Sequence, residues 1–228
     1  MSKITQKELD IALSMSLFSS FTPEETGEII SALEGEIERY PRGSILVAAG
    51  QQAPAASSFF FLLLSGRVHM IRYGLQGEQC MIDYLMPGCV LGMPQAIGGA
   101  RYFHNAMQAG ADCTLLRLAL PGQNASPLAQ RLLRNLLQVV SRQNVRLMEK
   151  VDVLSGRSVR EKILIYLRIE SEIHGSREFD IPLKRQELAD YIYVDRTTLS
   201  YELGKMQQEG LLRVRRNHFI LPPEGLNN

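Results

Sequence analysis

The stretch "LKRQELADYIYVDRTTLSYELGKMQQEGLL", Leu183 to Leu212, decides how this chain is read. A first helix at about Arg185–Ile192 buries Leu188 and Ile192, and Ala189 between them lets a second helix cross closely. "YVD" makes the turn, and Asp195 is a good N-cap for the second helix. Leu199, Leu203 and Met206, at i, i+4 and i+7, form its buried stripe. Two helices joined by a short turn and crossing steeply make a helix-turn-helix. The following "LLRVRRNHFIL" reads as a β-hairpin turning at Arg215-Arg216-Asn217, so the unit is winged.

In such a unit the N-terminal end of the second helix enters the major groove. Here that end carries Asp195, Arg196, Thr197, Thr198, Ser200 and Tyr201. An Arg bonds a guanine edge bidentately or holds a phosphate, and a Thr donates, accepts or touches a thymine methyl. Lys184, Arg185 and Gln186 open the first helix and suit backbone clamping, and Arg213, Arg215 and Arg216 on the wing suit a flanking phosphate. The expected partner is double-stranded DNA. A protein-binding winged helix, with the same residues as a merely solvated face, is the alternative.

Outward from this unit, the bulk numbers set limits. A length of 228 residues suits two modest domains, and 45% hydrophobic residues suffice for packed cores. No run of eighteen apolar residues marks a membrane span, and the N-terminus lacks a signal-peptide pattern, so a cytoplasmic location is expected. Cys80, Cys89 and Cys113 are odd in number with no CxxC spacing, which argues against a disulfide framework or a metal site. They read as small buried residues on strands. The net charge of +1 decides nothing, but residues 1–125 are acidic (8 basic, 11 acidic) and residues 126–155 basic (5 against 2). No phosphate loop or nucleophile–base pair appears, so the chain does not read as an enzyme.

The N-terminal part, 1–125, opens with short helices, one capped by Thr22 before Pro23. From about Glu38 to Leu120, glycines recur between runs such as "SILVAAG", "FFFLLLSGRVHMIRYG", "CMIDYLMPGCVLGM" and "CTLLRLAL". Many short strands at this spacing, with "GLQGEQ" as a hairpin-like loop, predict an antiparallel sandwich or a double-sheet jelly roll. The fold class is therefore α+β. A long helix follows over 126–155, and the winged helix-turn-helix occupies 156–228.

Along the long helix, Leu133, Leu137, Val140, Asn144, Leu147, Val151 and Leu154 are spaced 4, 3, 4, 3, 4, 3. That is a heptad seam and predicts a parallel homodimer, with Asn144 at an a position fixing register. A second stripe, Leu128, Leu132, Leu136 and Val139, faces elsewhere and suits packing on the strand domain. The alternative is one amphipathic core helix in a monomer.

"FLLLSGRVHMIRYGLQGEQCMIDYLMPGCVLG" and "RQELADYIYVDRTTLSYELGKMQQEGLL" together resemble the CRP/FNR superfamily of bacterial transcription regulators, and the similarity covers nearly the whole chain. The resemblance implies a cyclic-nucleotide-binding-type β-roll, a dimerisation helix and a DNA-binding winged helix. It also implies RNA polymerase as a partner if the protein activates transcription. Departures limit what carries over. Cys89 stands where the family usually has Asp. Gly92-Met93 stands where cyclic-AMP receptors carry Gly-Glu. Phe103-His104 stands where they carry Arg-Ser, with Arg101 two residues early. Without the ribose carboxylate and the placed guanidinium, the strongest charge-assisted contacts are lost, so cyclic AMP is not the expected effector. No cysteine precedes Cys80, which argues against the iron–sulfur sensors. Haem is a minor alternative, with His69 and His104 as weak candidate ligands, and otherwise no cofactor is expected. The expected effector is a small organic molecule in an apolar pocket. Its lining would be Gly92, Met93, Arg101, Phe103, His104 and Met107, with Asn144, Leu147 and Met148 from the helix. Tyr201 replaces a common guanine-reading Arg, so a different operator word is expected, and Tyr193 replaces the usual turn Gly.

Overall fold

The computed structural model describes residues 2–53, 59–74, 79–122 and 126–222. Packing divides the chain into two compact units, one of Met1–Tyr73 and Ile82–Asn144, the other of Gly74–Met81 and Val145–Asn228. The chain passes between them after Tyr73, within the strand Gln79–Leu85 and within the long helix.

The first unit begins with α1 (Gln6–Leu13) and α2 (Pro23–Ala32). Both start in capping boxes: Thr5 with Glu8, and Thr22 with Glu25. Such reciprocal bonds satisfy backbone N–H groups that the first turn leaves open. Eight strands follow: β1 (Glu36–Tyr40), β2 (Ile45–Val47), β3 (Phe59–Ser65), β4 (Val68–Tyr73), β5 (Gln79–Leu85), β6 (Val90–Leu91), β7 (Ala106–Ala109) and β8 (Cys113–Ala119), with α3 (Met93–Ala96) between β6 and β7. They form two four-stranded sheets, ordered β1-β8-β3-β6 and β2-β7-β4-β5, with antiparallel pairings. This is the expected α+β roll. The "GLQGEQ" loop lies mostly outside the described residues.

Alternation along β3 and β8 creates two apolar layers. Phe60, Leu62, Leu64, Leu116 and Leu118 face the helices and pack with Phe18, Ile29, Leu132, Leu136 and Val139. Leu63, Val68, Leu91, Met107, Cys113 and Leu115 fill the space between the sheets. Side chains of period two must serve opposite faces, so one strand feeds both cores.

Of the cysteines, only Cys113 fits the expectation of a buried strand residue. Its thiol donates toward the Arg67 and Ala111 carbonyls, and burial pushes its pKa up. Cys80 on β5 and Cys89 in the turn before β6 are half-buried, since a turn residue has one face open to solvent.

The helix α4 runs Pro127–Ser155, followed by α5 (Val159–His174), β9 (Glu178–Asp180), α6 (Arg185–Ile192), α7 (Arg196–Gln208), β10 (Arg213–Arg215) and β11 (His218–Ile220). In the second unit β9, β10 and β11 form one antiparallel sheet, ordered β10-β11-β9. Val214 pairs with Phe219, which pairs with Phe179; the two phenylalanines are buried and stack at 6.3 Å. No helix among the described residues is long and apolar enough to cross a membrane.

Candidate nucleic-acid interface

The second unit holds α7 by its apolar side and leaves its other side open. Leu199, Leu203 and Met206 are 0, 2 and 0% exposed, whereas Arg196, Thr197, Thr198, Ser200 and Tyr201 are all exposed, Tyr201 at 72%. Two contacts keep this side outward. Ala189 of α6 is fully buried, as close helix crossing requires. Arg160 of α5 bonds Glu202 at 2.6 Å and both oxygens of Glu209, at 2.7 and 3.1 Å, tying α5 to the length of α7. Glu209 in return is held below the usual carboxylate range by the Arg160 bonds. Asp195 occupies the N-cap with extended backbone, but its side chain makes no capping bond. The capping role expected of it is thus absent, and its carboxylate stands exposed beside the reading edge.

The turn between α6 and α7 rests on Tyr193, whose φ of 57° and ψ of 60° lie in the left-handed region. Its N–H and that of Val194 close the end of α6 on Ala189 and Asp190 carbonyls. A β-carbon is strained there, since only glycine adopts this region without steric cost.

Basic groups converge around the start of α7. Arg185, half-buried at the first turn of α6, donates to the Arg216 carbonyl at the wing tip at 3.1 Å. Burial, and then the charge of Arg196, depress its pKa. Two guanidiniums close enough to repel gain from an anion placed between them. Lys184 and Gln186 are exposed beside it, Gln186 bonded to Asp190 at 2.8 Å. Arg216 itself has a positive φ of 59°. On the outer face of the wing, Arg213 and Arg215 line an open cleft of about 400 Å³ with Gln207, Val214, His218 and Ile220. The far strand of that face carries Glu178 and Asp180, each 3.2 Å from a ring nitrogen of His218. The wing is thus basic along β10 and acidic along β9.

Within the first unit, the residues expected to hold an effector are divided between two apolar layers and the surface. Met93 packs against the helix-side core, while Met107 is buried between the sheets with Phe103 against it. Gly92, with φ 83°, caps α3, and Arg101 and His104 are exposed. Asn144 is exposed on α4, and Leu147 and Met148 are exposed in the other unit. Sequence spacing missed Gln143. Its side-chain amide pairs with both the N–H and the C=O of Val90 at 3.0 Å, fixing α4 to the edge strand that leads into Gly92. His69 is buried with its Nε2 accepting from Arg67 at 3.0 Å. A β-carbon on Gly110 would come within 2.4 Å of its ring.

Of the expected dimer seam, Leu137 and Val151 are 67 and 65% exposed and Leu147 and Leu154 each 40%, with Asn144 also exposed. Leu133 and Val140 instead pack partly against their own unit's core, beside the buried stripe of Leu132, Leu136 and Val139.

Comparison with known proteins finds two domain families. The cyclic nucleotide-binding domain matches residues 37–122, and the Crp-like helix-turn-helix domain matches residues 161–228. No curated protein sequence matches the chain. Among solved structures, the chain is similar to the c-di-GMP-responsive global regulator CLP of Xanthomonas campestris, with a TM-score of 0.69 and 20% identity over 88% of this chain and 99% of that one. It is also similar to FixK2 of Bradyrhizobium japonicum, with a TM-score of 0.63 and 14% identity over 82% and 92% of the two chains. A transcriptional regulator of Thermus thermophilus gives a TM-score of 0.59 and 18% identity over 84% and 96%. At these identities the likeness is one of fold.

Proposed function

We propose that the chain, which carries a cyclic nucleotide-binding domain and a Crp-like helix-turn-helix domain, is a DNA-binding transcription regulator of the CRP/FNR type and acts in the cytoplasm as a homodimer on a near-palindromic operator. The observation that carries this reading is the exposed edge of α7, set on a fully buried stripe and flanked by Arg185 and the wing arginines. Arg196, Thr197, Ser200 and Tyr201 read base edges, while Lys184, Arg185, Gln186 and Arg215 hold phosphates. The exposed seam of Leu137, Asn144, Leu147, Val151 and Leu154 supports pairing of two α4 helices. A parallel pair places two recognition helices about one helical turn, roughly 34 Å, apart. If the regulator activates, RNA polymerase is its further partner.

The effector is a small organic molecule other than cyclic AMP. Met93 supplies no carboxylate, and Arg101 is exposed. A second reading, a constitutive regulator with a vestigial sensor, draws support from Met107 and Phe103, which occupy the space between the sheets. Haem is the weaker alternative: His69 is already bonded to Arg67 and packed on Gly110, and His104 is exposed.

Selection of bound sequences from a random duplex library tests the reading. The expected product is a near-palindrome with half-sites one turn apart, and a sequence without symmetry overturns the dimer. Arg196→Ala should cost about 1–3 kcal/mol and relax preference at one position in each half-site, whereas a uniform loss across sequences makes Arg196 a phosphate contact. Operator affinity is then measured with cyclic AMP, cyclic di-GMP and small aromatic acids. Equal affinity throughout supports the constitutive reading.

A further inference from the structure

Lysine is rarely buried, because its ammonium must leave water. Lys150 of α4 is only 5% exposed. Its Nζ donates to the Met81 carbonyl at 3.4 Å and sits 3.3 Å from the centre of the Tyr191 ring. Tyr191 is itself buried in α6 and meets Tyr166 of α5 edge-on, with ring centres 5.5 Å apart. All four residues belong to the second unit. One ammonium therefore joins four elements: the end of the Gly74–Met81 segment, α4, α6 and, through the tyrosine pair, α5. The face of an aromatic ring carries negative potential, so a desolvated cation over it is attracted strongly and in a fixed place.

The position of α6 matters because α7 is placed by it. Ala189, two residues before Tyr191, is the fully buried crossing point, and Tyr193, two residues after, is the strained turn that starts α7. We propose that Lys150 is a positioning residue for DNA reading: held between the Met81 carbonyl and the Tyr191 ring, it sets the stance of α6 and hence of the α7 reading edge. Met81 is also the last residue of its segment in this unit, and β5 runs on directly into the first. The Met81 carbonyl thus ties this end of its segment to α4 and α6 inside the second unit.

The proposal rests on the DNA-binding reading above, and its test separates the two. The full-length protein is titrated with a duplex selected by the wild-type protein and with a scrambled duplex of equal length. Lys150→Met keeps the length and apolar bulk of the side chain but removes the charge and donor. It should bind the selected duplex about tenfold more weakly, with the scrambled duplex unchanged, since loss of a desolvated cation–π contact is of that size. Tyr191→Phe keeps the ring face and should stay within about twofold of wild type, while Tyr191→Leu should match Lys150→Met. The double variant Lys150→Met with Tyr191→Leu should be no weaker than either single one, because both remove one contact. Tyr191→Leu should also speed amide exchange in β5 next to Met81. A merely structural role predicts instead fewer active molecules at unchanged affinity, with additive losses, and that result overturns the proposal. If Lys150→Met does not fold, equal affinities for Tyr191→Phe and Tyr191→Leu overturn it as well. A wild-type protein that selects no sequence defeats the DNA-binding reading itself, and the proposal with it.

Discussion

The face of α7 and the interior of the β-roll are both organised by short apolar stripes, yet they end as opposite kinds of surface. In α7 three residues, Leu199, Leu203 and Met206, are buried, and everything chemically informative points out. In the roll, β3 and β8 bury residues on both faces, and Met107 with Phe103 occupies the gap between sheets. A site for a large rigid ligand needs only an exposed edge on a firm helix. A site for a small molecule needs space inside, and space is what a close-packed core does not leave.

The largest expected effects come from the two cores themselves. Leu203→Ala and Met107→Ala should each cost about 2–5 kcal/mol, the former in the winged-helix unit and the latter in the roll. Unfolding followed by hydrogen exchange assigns each loss to its unit. A small cost for Met107→Ala would break the comparison. The roll would then tolerate a hole there, and Met107 would be better read as the wall of a pocket.

An intermediate pair uses the same device in both units. Gln143 bonds both polar groups of Val90, while Gln207 accepts one bond from the Val214 N–H at 2.8 Å. A buried backbone group left without a partner costs more than the bond itself was worth. Gln143→Leu should therefore lower stability by about 1–3 kcal/mol and speed exchange of the Val90 amide, against about 0.5–1.5 for the single bond of Gln207. Equal losses would mean that the edge strand β6 does not depend on α4.

The same contrast explains what could be read before any coordinates. The helix bounds Arg185–Ile192 and the α7 stripe follow from the apolar period, because that depends on residues close in sequence. The buried stripe of α4 was legible for the same reason, but the shared burial of Leu133 and Val140 was not: a heptad count cannot tell which face meets its own core. β1 and β7 are not legible in the sequence because "EIERY" and "AMQA" lack an apolar run; β1 is recruited by its register with β8, where Arg117 faces Glu36. Lys150 reads as an ordinary solvated lysine until Tyr191, forty-one residues on, is brought beneath it. The effector residues were the least legible, since alignment to a motif gives position along the chain and not which cavity a side chain enters.

The smallest effect concerns Tyr193, where the two units again differ. Left-handed backbone in the roll is carried mainly by glycines such as Gly66 and Gly92, but the turn before α7 uses a tyrosine that is 57% exposed. A side chain in that region costs about 1–2 kcal/mol, and exposure leaves little packing to offset it. Glycine would remove the strain but enlarge the freedom of the unfolded chain, which costs about 0.4–1 kcal/mol. Tyr193→Gly should therefore stabilise the winged-helix unit by about 0.5–1 kcal/mol net, seen as a rise of a few degrees in its Tm. If that unit gains stability while affinity for the selected operator falls, the ring touches DNA and Tyr193 belongs with Tyr201 on the reading edge. If both stay unchanged, the left-handed turn is held by its neighbours, and the strain is carried by α6 and not by Tyr193 alone.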